Sequence, residues 1–205
     1  MLLLTLAAFA QSPALEADPV RAGMTCGAAA AATADEATVR LTVQASYFVM
    51  QATRVDRLGK PFLERFEEMM GELAGHAGEL VRSGRIADGG AAILAECDRR
   101  FPLARSTAPV RLPADPLRRD LMCLGVVSFL EGASREGATG GTPTHDEMVR
   151  AQAAYTALLD DDRMRGAGLG EEEDAMRVVG ELTADSLELG NTEMVSRACM
   201  ARLEG

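Results

Sequence analysis

VQASYF at Val43–Phe48 and AQAAYT at Ala151–Thr156 are nearly the same helical phrase, and whether that repetition is real decides how the chain divides. A short near-match arises by accident in an alanine-rich sequence, so the weight falls on its surroundings. Cys26 precedes the first copy and Cys97 follows it, while Cys123 precedes the second and Cys199 follows it, at separations of 71 and 76 residues. Glu79-Leu80 lies 18 residues before Cys97, and Glu181-Leu182 lies 18 residues before Cys199. Three residues beyond each second cysteine stands an arginine, Arg100 and Arg202. The second copy is longer between its first Cys and its Gln, and the extra length falls in the Gly-, Pro- and Thr-containing stretch Arg135–Thr144, where insertions are tolerated. Collinear features of this kind predict an internal duplication.

The apolar content is 47% of 205 residues, with no Trp and two Tyr, and consists mainly of Ala, Leu, Val and Met. Helices use such residues more readily than strands, which favour β-branched and aromatic side chains. The predicted fold is therefore all-α, with two tandem four-helix units at 24–105 and 115–205, joined by a linker at 106–114. Thr33-Ala34-Asp35-Glu36 and Thr144-His145-Asp146-Glu147 have the capping-box form and open the helices that carry the two Gln and Tyr residues. Pro61 suits the start of a third helix whose Phe62, Phe66, Met69, Met70 and Leu73 recur at helical spacing. Ser83-Gly84 ends it, Asp88 caps a fourth helix and Pro102 stops that one. In the second unit Asp115-Pro116 starts the first helix, Glu171–Asp174 place negative charge at a helix start and Asn191 caps the last. Asp160-Asp161-Asp162 and the glycines after it read as a helix end and loop.

One cysteine lies in the first helix of each unit and its mate in the last. The duplication selects Cys26 with Cys97 and Cys123 with Cys199 from the three connectivities that four cysteines allow. Closing loops of this length stabilises a unit by about 4 kcal/mol in the chain-entropy model. Such bridges belong to oxidising compartments, and the N-terminus agrees with export. Leu2–Phe9 form a short apolar run ending in Ala8-Phe9-Ala10, the small-x-small form of a cleavage site, so residues 1–10 are predicted to be a signal peptide and 11–23 an N-terminal linker. No Lys or Arg precedes the run. No later segment is long and apolar enough to cross a bilayer. The expected location is periplasmic or secreted.

Net charge is −10, concentrated in residues 108–205, where 18 Asp and Glu face 10 Lys and Arg. That surface repels nucleic-acid backbones and anionic lipid, which removes nucleic acid as a partner.

Glu68, Glu72, His76 and Glu79 share one face of the predicted third helix and form the weak metal candidate, with Glu72, His76 and Glu79 at its centre. A solvated acidic face accounts for them better, and no metal or cofactor is predicted. The glycine-rich stretches match neither a dinucleotide-binding fingerprint nor a P-loop. His145 beside Asp146 and Glu147 is explained as a helix start. Gln44 with Tyr47, and Gln152 with Tyr155, are the candidate contacts for a ligand or partner, against a plain reading as packing residues with bonded hydroxyls.

These observations favour a non-enzymatic exported protein that binds proteins or peptides, in a chaperone or envelope-stress setting. Two alternatives stand beside it: a small-ligand or metal binder that uses the cleft between the units, and a hydrolase whose carboxylates are not recognisable. An exposed apolar groove favours the first, a polar pocket the second, and paired carboxylates of raised pKa the third.

Overall fold

The computed structural model describes residues 15–32, 39–86, 90–135 and 143–204. Among the described residues there are nine helices and no strand: α1 (Pro19–Ala32), α2 (Val39–Val55), α3 (Phe62–Arg82), α4 (Ala91–Arg100), α5 (Pro116–Arg135), α6 (His145–Leu158), α7 (Asp161–Gly166), α8 (Glu172–Ser186) and α9 (Thr192–Glu204). The all-α expectation holds for these residues. The 1–10 segment, the Thr33–Glu36 capping box, Asp88 and residues 136–142 of the expected loop lie outside them.

Side chains at the helix starts explain where the elements begin. The Asp18 carboxylate accepts from the backbone N–H groups of Val20 (3.3 Å) and Arg21 (3.1 Å), with Pro19 in the first helical position. The expected linker at 11–23 is corrected accordingly, because the chain is helical from Pro19. Asp115-Pro116 opens α5 in the same way, Asp115 accepting from the Arg118 N–H at 2.7 Å. Both openings read Asp-Pro-x-Arg, and each aspartate stands eight residues before its cysteine. Thr144 and Glu147 form the reciprocal capping box of α6, and Asn191 Oδ1 accepts from the Met194 N–H at 3.0 Å at the start of α9. A second correction concerns Asp160–Gly170, expected as a loop. Asp160 accepts from the Arg163 N–H at 2.8 Å and starts α7, whose acidic first turn and Arg165 in the last turn match the helix dipole. Among the described residues after the linker there are therefore five helices.

α1 and α5 are the central helices. α1 packs against α2, α3 and α4, and α5 packs against α6, α8 and α9. Disulfides join α1 to α4 through Cys26 and Cys97 and α5 to α9 through Cys123 and Cys199, with Cα atoms 5.7 and 5.5 Å apart and all four cysteines buried. The predicted pairing is the observed one. Close approach of the helices requires small residues: a Cβ on Gly23 of α1 would lie 2.8 Å from the Phe48 carbonyl oxygen and 2.9 Å from the Ala52 Cβ. Gly125 has the corresponding role on α5, where a Cβ would meet Val179 Cγ1 at 2.9 Å.

The two halves share their cores. Ala184 of α8 and Leu187 just after it pack into the core of α1–α4, Val43 of α2 packs with α5, α6 and α9, and Phe129 of α5 touches both. Phe66 meets Phe129 edge-on with centroids 5.9 Å apart. Arg57 lies over the Phe62 ring (4.8 Å) and donates two hydrogen bonds to Glu181 (2.9 and 2.8 Å), a forked pair across the junction. Asn191 fastens the connecting segment, its Nδ2 donating to the carbonyls of Leu103, Ala104 and Ser106 at 3.2, 3.3 and 2.9 Å.

Two alanine substitutions separate packing from helix propensity. Gly23→Ala forces α2 away from α1 and is expected to lower unfolding free energy by about 2 kcal/mol. Gly75→Ala, on the solvent face of α3 where a Cβ meets nothing within 4 Å, is expected to raise it by roughly 0.5–1 kcal/mol. Urea unfolding of both variants checks this; equal effects would contradict the close packing of α1 on α2.

Candidate functional site

The acidic face proposed from sequence is a salt-bridge centre. Arg65 of α3 is 6% exposed and is surrounded by carboxylates: Asp56 Oδ2 at 3.1 Å from Nη2, and Glu68 Oε2 and Glu72 Oε1 each at 3.3 Å from Nη1. Lys60 adds a hydrogen bond to Glu68, which holds that carboxyl below the usual carboxylate range. His76 turns the other way, its Nε2 lying 3.0 Å from Thr25 Oγ1 on α1, and Glu79 is exposed. Among the described residues no group of three or more His, Cys, Asp or Glu is placed to hold a metal ion.

The second half contains the same arrangement with the signs reversed. Asp120 of α5 is 1% exposed. Its Oδ2 lies 2.9 Å from Arg163 Nη1 of α7, and its Oδ1 lies 3.2 Å from Arg202 Nη2 of α9 and 3.5 Å from Arg119 Nε as ion pairs rather than hydrogen bonds. One buried arginine gathers three carboxylates in the first half; one buried carboxylate gathers three arginines in the second. Sequence reading missed Asp120, because nothing local distinguishes it from other helical aspartates. The Asp-Pro-x-Arg register shared with α1 is the signal that would have placed it inside α5, one turn before Cys123.

The repeated tyrosines are core residues. Tyr47 and Tyr155 are 2% and 0% exposed. Tyr47 Oη accepts from Gln51 Nε2 at 2.9 Å, and Tyr155 Oη donates to the Cys199 carbonyl at 2.7 Å, tying α6 to α9 beside the disulfide. Burial pushes both phenols above their ordinary pKa. Gln152 donates to Ser128 Oγ at 3.0 Å. Gln44 differs from the other three: its Nε2 is buried without an acceptor among the described residues, and the residue lines a cleft.

Two clefts flank α9. A groove of about 450 Å³ runs between α6 and α9, which lie parallel because both run antiparallel to α5; Gln152 meets Ser128, while Arg202 meets Asp120. Its floor is Ala151, Ala154, Met200 and Leu203, and its rim carries Glu147, Arg150, Arg197 and Glu204. A second cleft, about 470 Å³, opens between α2, the connecting segment and α9, with Gln44, Arg105, Glu193 and Arg197 on its walls. Met194 lines this second cleft, whereas Met50 and Met69 fill the core and Met176 is 51% exposed.

Ser134, His145 and Glu131 form the nearest approach to a hydrolase set. Ser134 Oγ lies 2.8 Å from His145 Nδ1, and Glu131 Oε1 lies 3.7 Å from the same nitrogen. A catalytic triad needs the nucleophile and the acid on opposite ring nitrogens, and Ser134 donates its proton to the Glu131 carbonyl at 2.7 Å. Asp146 and Glu147, the neighbours in sequence, are not the partners of this ring; Glu147 is committed to the capping box.

Asp120→Asn is expected to lower stability by about 3 kcal/mol, toward the lower end for a broken buried ion pair because the three arginines are 21–31% exposed and partly rehydrate. Urea unfolding measures it. A loss below roughly 1 kcal/mol would mean that the arginines are held without the carboxylate.

The chain matches no known protein family, no curated protein and no solved structure.

Proposed function

We propose that this chain is an exported, non-catalytic binding protein, built by internal duplication, that captures a peptide segment of another protein in the groove between α6 and α9. The observation that carries this reading is the groove itself. It offers an apolar floor of small and flexible side chains between two parallel helices, on a chain of net charge −10. Ala151 and Ala154 leave room above α6, and Met200 adapts its shape to what enters. The rim carries two acids and two bases, so its complement is an amphipathic segment with apolar residues flanked by charges of both signs.

The surrounding structure supports the non-catalytic part of this reading. The groups that chemistry would recruit are already engaged: Asp120 with arginines, Arg65 with carboxylates, His76 with Thr25 and His145 with Ser134. Glu16, Glu68 and Glu147 have carboxyls held below their ordinary pKa, away from what a general acid needs. Two buried disulfides suit an oxidising compartment, which supports a periplasmic or secreted location. The duplication is supported by the shared Asp-Pro-x-Arg openings, the equal distance from each aspartate to its cysteine, and a first-to-last-helix bridge in each half.

A photo-crosslinking amino acid at position 154, in protein exported from its host, tests the groove. The expected result is a discrete crosslink to another protein that Met200→Arg abolishes while unfolding is unchanged, and that position 177 on the exposed face of α8 does not give. A crosslink to a second copy of this chain would replace partner capture with self-association. Equal crosslinking from positions 154 and 177 would sink the groove as the binding surface.

A further inference from the structure

We infer that the cleft between α2, residues 104–107 and α9 binds a small organic carboxylate, independently of the α6–α9 groove. The cleft lies in the size range of small-ligand sites, at the junction of the two halves where such sites concentrate. Two donors there lack partners. Gln44 Nε2 is buried with no acceptor among the described residues, a state that costs free energy until one is supplied. Arg105 is ion-paired through Nε with Asp98 Oδ1 at 3.0 Å, a contact without hydrogen-bond geometry, and its two Nη groups have no protein partner among the described residues. Those two N–H groups form the fork that a planar carboxylate accepts in bidentate fashion.

The remaining wall decides the class of anion. Glu193 lines the cleft and repels polyanions, but its charge is offset by Arg197, to which it is bonded at 2.6 Å. Arg105 is paired with Asp98 as Arg197 is with Glu193, so these four groups carry no net charge, which suits a monocarboxylate better than a phosphate dianion. Val43 and Met194 supply apolar contact for the organic part. Binding requires the Gln44 amide to rotate toward the ligand, so its side-chain resonances report occupancy directly.

The test uses the full chain with both disulfides intact, isotope-labelled and titrated with butyrate, with the neutral isostere butyramide and with inorganic phosphate. The expected result is saturable movement of the Gln44 side-chain amide and the Arg105 Nε resonances with butyrate and none with butyramide. Loss of the fork in Arg105→Lys, and of the amide in Gln44→Leu, is expected to weaken butyrate roughly tenfold each, while Arg177→Gln on α8 leaves it unchanged. Arg105 is half exposed, so its substitution leaves the fold intact; unchanged backbone resonances verify this. Absence of saturation, equal response to butyramide, equal response to phosphate, or full affinity in Arg105→Lys would each overturn the assignment.

Discussion

Everything in this structure depends on holding one central helix in each half against three others, and a single covalent bond does this in each case. α1 is tied to α4 and α5 to α9 by bridges that close loops of 71 and 76 residues. In the chain-entropy model a loop of that length contributes about 4 kcal/mol, comparable with the whole stability of a small domain. The need is visible in the composition: with no Trp, two Tyr and six Phe the core is built from small and medium side chains. Such a core gains stability by letting backbones approach closely, which is why Gly23, Gly27 and the alanines of α1 face α2 and α3. Close approach leaves little area per contact, and the disulfide compensates by limiting the unfolded chain.

Around the central helices charge acts as an organising device. Arg65 and Asp120 are each buried and each surrounded by three groups of opposite sign, two of which, Glu68 and Glu72, belong to the face that reads as a metal candidate in sequence. Removing one partner from such a centre is costly because the rest are left desolvated, whereas the intact centre adds less stability than a hydrophobic replacement could. Their physical role here is to fix register: Asp120 brings α7 and α9 to one point of α5, and Arg65 brings the α2–α3 turn onto α3. The Arg57–Glu181 fork and the Phe66–Phe129 contact do the same between the halves.

Much of the fold was legible because it was encoded locally or by spacing. Capping boxes, Asp-Pro starts and Gly stops depend on the few residues around them, and the cysteine pairing followed from the collinear frame. The same Asp-Pro signal that placed α5 was present at Asp18-Pro19, yet it stood beside the expected cleavage site and was absorbed into a linker. α7 was overlooked because three aspartates in a row resemble a solvated loop, although the first is a helix cap and the others complement the dipole. The tyrosines illustrate a limit of repetition: Tyr47 and Tyr155 recur as buried packing residues, and neither lines one of the two clefts. The clefts themselves were not legible. Gln44, Arg105 and Glu193 meet only because Asn191 draws the connecting segment onto α9, and the α6–α9 groove exists only because both helices run antiparallel to α5. These are consequences of tertiary packing, and no local pattern announces them.

The arrangement rests on two disulfides, one joining α1 to α4 and one joining α5 to α9. Its most direct test is peptide mapping by mass spectrometry of the exported protein, digested without reduction. The result it predicts is Cys26 linked to Cys97 and Cys123 linked to Cys199, with no free thiol. Crossed linkages, or four free cysteines in protein isolated from its native host, would contradict both the architecture and the proposed location.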